Sequence, residues 1–164
     1  MKNVFRVALA ACALAMLSAC GSSNLVVTTP ISQPIKSQTI ALEYNQSTVG
    51  VPDEAIVATK NYMEDAFFGG KHPQFRHGND GITIRYGYIG YKRGSRLGRY
   101  FLGFMGNGGA NMVLRAEFID ASGNKIGEAQ STGQISSGFL GGSSNSAVKK
   151  AVKEIRDYAV AQFR

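Results

Sequence analysis

The first apolar run of the chain, residues 7–17, is almost unbroken, follows Lys2 and Arg6, and stops at the small residues Ser18 and Ala19. A basic start, an apolar middle too short to span a bilayer and a small-residue end make the pattern of a secretory signal. Residues 21–38 show no long period, and Pro30, Pro34 and several Ser and Thr predict a flexible tether there. Alternation then begins: Ile40, Leu42 and Tyr44 predict a strand over residues 39–45. Residues 53–68 carry Ile56, Met63 and Phe67 on one helical face with Ala55, Tyr62 and Ala66 beside them. Pro52 and Asp53 suit the first turn of that helix, and Gly69-Gly70 stops it.

Three β-like runs follow a polar loop. Residues 81–91 place Ile82, Ile84, Tyr86 and Tyr88 on one face; residues 111–120 place Met112, Leu114, Ala116 and Phe118 on one face and Arg115 and Glu117 on the other. Residues 125–135 form the third and weakest run, reached through a Ser, Gly and Asn turn that predicts an antiparallel hairpin. A final helix over residues 146–163 repeats Val148, Ala151, Val152, Ile155 and Ala159. The order predicts an α+β fold: a single sheet of about four strands with two helices packed on one face, in the order strand, helix, three strands, helix.

The end of the first apolar run sharpens the address. Leu17-Ser18-Ala19-Cys20 resembles the bacterial lipobox, which implies diacylation of the Cys20 sulfur, cleavage before it and acylation of the freed amine. Two or more acyl chains hold a protein to a membrane stably where one gives only marginal binding. The expected organisation is a lipoprotein signal peptide over residues 1–19, lipidated Cys20 with a tether to residue 38, and one periplasmic domain over residues 39–164. The sorting convention that goes with the resemblance, with Gly21 after the Cys, implies the outer membrane. Cys12 lies in the part to be removed and Cys20 is occupied by lipid, so no disulfide is available to the mature chain.

The chain has 18 basic and 11 acidic residues, a formal net charge of +7. Most of the excess lies in residues 85–101, where Arg85, Lys92, Arg93, Arg96 and Arg99 are interleaved with aromatics and no acid. Behind a lipid anchor the anions within reach are lipid phosphates, envelope glycans and acidic proteins, so nucleic acid is not an expected partner. A solvated hairpin tip that protects a sheet edge accounts for the same charges. A short echo, Gly103-Phe104-Met105-Gly106 and Gly138-Phe139-Leu140-Gly141, adds Phe104 and Phe139 as a second candidate surface if both loops reach one end of the sheet; folding of these side chains into the core is the alternative.

Known chemistries find little support in the residues. His72 and His77, with Asp80 nearby, lack the further ligands of a recognisable metal spacing, so no metal is expected. There is no G-x-S-x-G sequence, and Gly106-Asn107-Gly108 lacks the third Gly of a dinucleotide loop, so neither a serine hydrolase nor a nucleotide cofactor is expected.

Residues 99–142 resemble a domain of small Gram-negative lipoproteins. The marks are the Arg99-Tyr100-Phe101 lead-in, a G-x-G-x-A made by Gly106, Gly108 and Ala110, a D-x-x-G made by Asp120 and Gly123, and a Gly/Ser-rich loop before the last helix. The resemblance brings no catalytic residues. The expected function is a non-enzymatic scaffold or accessory subunit of an envelope assembly, with a protein partner. The alternative is a small-ligand or lipid-binding module, which requires a pocket lined by Tyr62, Tyr86 and Tyr88.

Overall fold

A computed structural model describes residues 25–32, 35–91, 110–135 and 144–164. Its elements in chain order are β1 (Leu25–Thr29), β2 (Thr39–Tyr44), α1 (Asp53–Phe68), β3 (Arg76–His77), β4 (Ile82–Tyr91), β5 (Ala110–Ile119), β6 (Lys125–Ile135) and α2 (Ser144–Phe163). The strands make one six-stranded mixed sheet in the order β1-β6-β5-β4-β2-β3. β1, β6, β5 and β4 are successively antiparallel, whereas β2 lies parallel to β4 and to the two-residue β3.

Alternation decides which strand residues meet the helices. Ile82, Ile84, Tyr86 and Tyr88 of β4 and Met112, Leu114, Ala116 and Phe118 of β5 are all buried. α1 buries Thr59, Met63 and Phe67, one residue per turn, and α2 buries Val148, Ala151, Val152, Ile155, Ala159 and Phe163. These side chains form one cluster, and each large apolar member contributes about 1.5–3 kcal/mol by leaving water.

β6 solves a different packing problem. Its residues on the helix side are small: Ala129 opposite Ala116, Ser131 opposite Leu114 and Gly133 opposite Met112. Ala147 and Ala151 of α2 are small as well, and the two backbones come close enough that a Cβ on Gly133 would stand 2.7 Å from the Ala147 carbonyl oxygen. At the other end of the strand, Gly123 takes φ +84° in the turn from β5, where a left-handed residue is needed.

Two expectations are corrected. The sheet has six strands, because β1 and β3 join its two edges. The domain also begins before residue 39: Leu25 pairs with Ser131, the Thr28 hydroxyl donates to Glu128, and the Ser37 amide donates to the Phe163 carbonyl at 3.0 Å. Residues 25–32 and 35–38, inside the stretch expected as a tether, therefore belong to the folded body, and residues 21–24 lie outside the described residues.

Candidate functional site

Strand directions divide the sheet into two ends. β4 finishes at Tyr91, β5 starts at Ala110, β6 finishes at Ile135 and α2 starts at Ser144, all at one end, which also receives the end of β2 and the start of α1. β1 runs away from this end, so Leu25 is its residue nearest to it. The opposite end holds the start of β6 at Lys125, the β5–β6 turn and the end of α2 at Phe163, which is bonded to Ser37 beside β2. Both Gly/Phe segments of the sequence are thus strung between strand and helix ends that lie at the Ile135 end. Lys92, Arg93, Arg96, Arg99, Phe104 and Phe139, and Cys20 itself, lie outside the described residues.

Arg85 does not belong with that group. It sits in mid-β4 on the face away from the helices, where its Nη2 lies 3.1 Å from Glu43 Oε2 on β2. The same cross-strand row continues through Glu117 on β5 and Glu128 on β6, directly opposite each other. Lys125 bridges them, with Nζ 3.2 Å from Glu117 and 2.5 Å from Glu128. Burial pushes the Glu128 carboxyl upward, but hydrogen bonds from Lys125, Gln130 and Thr28 outweigh it and hold the group below its ordinary range. The Glu128 hydrogen bond correspondingly raises Lys125. Opposite charges interleave across this row, so it offers no patch of one sign.

Of the tyrosines expected to line a pocket, Tyr86 and Tyr88 fill the interior. Tyr86 and Tyr88 are 3 % and 0 % exposed, and Tyr62 lies half-buried beneath the Lys149 ammonium, 5.0 Å from its ring. The Thr59 hydroxyl donates to the Ala55 carbonyl, leaving its oxygen to accept from the Tyr88 hydroxyl. Burial pushes the Tyr88 phenol up to about 12, with the Thr59 bond acting the other way. His77 lies in β3 with its ring 3.5 Å from that of Phe68 and Nε2 3.5 Å from Glu64. Among the described residues no three His, Cys, Asp or Glu side chains are grouped to hold a metal.

Two features were missed in the sequence reading. Glu154, 8 % exposed, turns inward from α2 and accepts a 2.6 Å hydrogen bond from Ser131 through Oε2, while Oε1 has no hydrogen-bond partner among the described residues. Its position, three residues after Ala151 and four before Tyr158 on the apolar stripe, was the available signal. The second is a cleft of about 410 Å³ at the Lys125 end, lined by Ile31, Ile35, Ile126, Thr29, Asp120 and Lys125. Asp120 is held below the usual carboxylate range, first by the Asn124 amide and further by Ser122 and Gly123, so it is a turn-forming carboxylate.

Fold and surfaces together define a two-helix α+β domain with a mixed six-stranded sheet. No family model and no curated protein matches the chain. Among solved structures it is similar to a dodecameric PelC variant from Paraburkholderia phytofirmans, at 11 % identity and a TM-score of 0.50, over 87 % of this chain and 98 % of that one. A second PelC dodecamer from the same organism has 14 % identity and a TM-score of 0.48, over 87 % of this chain and 99 % of that one. At such identity the first likeness speaks to the fold.

Proposed function

We propose that the chain is an envelope lipoprotein, held in the outer membrane by acyl chains on Cys20 and facing the periplasm, that acts as a non-enzymatic scaffold or accessory subunit of an envelope assembly. The observation that carries this reading is the filled interior: the space between helices and sheet holds Phe67, Tyr88 and Phe118, each 0 % exposed, so the molecule meets others through its surface. The resemblance of residues 99–142 to small Gram-negative lipoproteins belongs to the same proposal. The available surfaces are the Ile135 end and the edge of β1, which is unpaired among the described residues, has no charge in its sequence Leu-Val-Val-Thr-Thr, and exposes Val26 and Val27 by 57 % and 39 %. An uncharged edge strand is a template for another strand, and the register shift between Val27 and Thr29 confines the regular part of this one to Leu25, Val26 and Val27. The PelC variant of similar fold is a dodecamer, and self-association of this chain is part of the proposal.

The cleft at the Lys125 end, lined by Ile31, Ile35 and Ile126 together with Thr29, Ser32, Asp120 and Lys125, favours a second reading, a small-ligand module.

In-cell crosslinking followed by affinity recovery of the lipidated protein tests the first reading, with Cys20→Ser as control. Recovery of one envelope assembly, or of multiples of the chain, from the anchored form alone is the expected result. Recovery of monomer alone overturns the scaffold reading and turns attention to the cleft.

A further inference from the structure

Resting on the self-association included in the proposed function, we propose a third surface: the face of the sheet turned away from the helices binds a second copy of this chain, face to face about a two-fold axis. Burial of Met112, Leu114, Ala116 and Phe118 under the helices turns the alternate residues Val113, Arg115 and Glu117 of β5 to this other face. Among the described residues no helix packs there, and Glu43 and Arg85 on it are 52 % and 42 % exposed.

The charges of this face fall in two neighbouring cross-strand rows. One row holds Glu43, Arg85, Glu117 and Glu128, with Lys125 bridging the last two. The next holds Gly87, Arg115 and Gln130. Arg85 is paired with Glu43, whereas Arg115 has no hydrogen-bond or ion-pair partner among the described residues. Glu117 and Glu128 share a single ammonium, so the first row keeps one excess negative charge beside the unmet guanidinium of the second. Arg115 and Glu117 stand about 7 Å apart along one strand and do not pair within the chain.

A two-fold axis turns this imbalance into a fit. Let the axis lie between two facing sheets, cross the strands, and pass over β5 at the level of Ala116. The two β5 strands then run antiparallel, and Arg115 of each copy faces Glu117 of the other, as an isologous contact requires. On the flanking strands Arg85 comes over Gly87, which has no side chain, and Glu128 over Gln130. No like charges meet. An axis running along β5 instead sets Arg115 against Arg115, so charge selects the first arrangement. At ~3.3 Å per residue and ~4.8 Å between strands, β2, β4, β5 and β6 offer about 600 Å² per copy. A standard interface takes about 800 Å² from each partner, so the pairing is expected to be reversible.

Sedimentation equilibrium of the full protein, in density-matched mild detergent at a large micelle excess, tests this with two charge reversals. Arg115→Glu sets carboxylates against carboxylates in a pair of like chains, and Glu117→Arg sets cations against cations. Each variant alone is expected to pair at least tenfold more weakly than the parent. Mixing the two in equal amounts restores the parent's affinity, because every facing pair is again of opposite sign; a variant that is merely misfolded gains nothing from the mixture. Arg115→Gln, which removes the charge and keeps a long polar side chain, should weaken pairing several-fold. A parent that pairs as strongly as all three variants overturns this face and leaves self-association standing. A parent that stays a single chain at every concentration overturns both.

Discussion

Replacing Lys125 by Met keeps an apolar stem and removes the one charge that stands between two carboxylates facing each other across β5 and β6. Glu117 and Glu128 are only 17 % and 13 % exposed, whereas Lys125 is 43 % exposed, so the bridge is neither a buried ion pair nor a free surface one. A pair of unit charges at 4 Å is worth about 4 kcal/mol at an effective dielectric of 20 and about 1 kcal/mol in water, and the exposure of Lys125 argues for the lower part of that span. Like charges left directly opposite each other add a few tenths to about 1 kcal/mol. The expected loss at pH 7 is about 1–2 kcal/mol, or about 3–8 °C in Tm for a domain of this size. The lowered Glu128 and the raised Lys125 describe one interaction from its two sides and are not added.

That loss has a defined pH dependence. A carboxyl held below its unfolded value stabilises the fold above that value, and the contribution disappears as pH falls through the folded pKa. The ammonium raised by its partners stabilises below its unfolded value and loses that contribution as pH rises through the folded pKa. Thermal unfolding of the parent and of Lys125→Met should therefore differ near pH 7, and the difference should shrink as the pH is lowered toward 3. An equal difference at both pH values would refute the electrostatic account and assign the cost to packing of the Lys125 stem.

The closeness of β6 and α2 gives the next expectation: Gly133→Ala puts a methyl 2.7 Å from the Ala147 carbonyl oxygen and should cost about 1–3 kcal/mol in urea unfolding. No loss would mean that the helix start shifts freely. Ser131→Ala leaves buried Glu154 without its donor and should cost about 1–3 kcal/mol, while Ser131→Ala with Glu154→Leu should recover most of it, read as a double-mutant cycle in denaturant. A double variant as unstable as the single one would show that Glu154 is held by something other than Ser131.

Wherever one face of an element is buried, the sequence announced it. α1 and β6 span the residues their patterns predict, and β2, β4, β5 and α2 differ by a residue or two at their ends, where pairing with neighbours decides. β1 and β3 escaped for physical reasons. Leu25–Thr29 is an edge strand that is exposed at every residue after Leu25, so Leu-Val-Val-Thr-Thr carries no alternation, and Pro30 beside it reads as loop. β3 is two residues long and exists through its pairing to β2, which sets no periodicity. Site residues fared by the same rule. The spacing of Tyr62, Tyr86 and Tyr88 shows that they face inward but not whether they line a space or fill it, because volume is settled by the small residues of β6 and α2 that let the layers close. Arg85 was grouped by its sequence neighbours, and only the β2–β4 register reveals Glu43 as its partner.

The missed edge strand changes the functional picture more than any other element. With a tether of eighteen residues the domain is free to turn in any direction below a membrane, and no surface is privileged by the anchor. With β1 paired to β6 and four residues left over, the reach of the anchor falls below the height of the sheet, whose longest strand has 11 residues and rises about 36 Å. On the lipoprotein proposal, a link this short restricts how the domain turns as well as where it is held. On the same proposal, copies of the chain are concentrated in a plane, a condition under which weak edge contacts become effective.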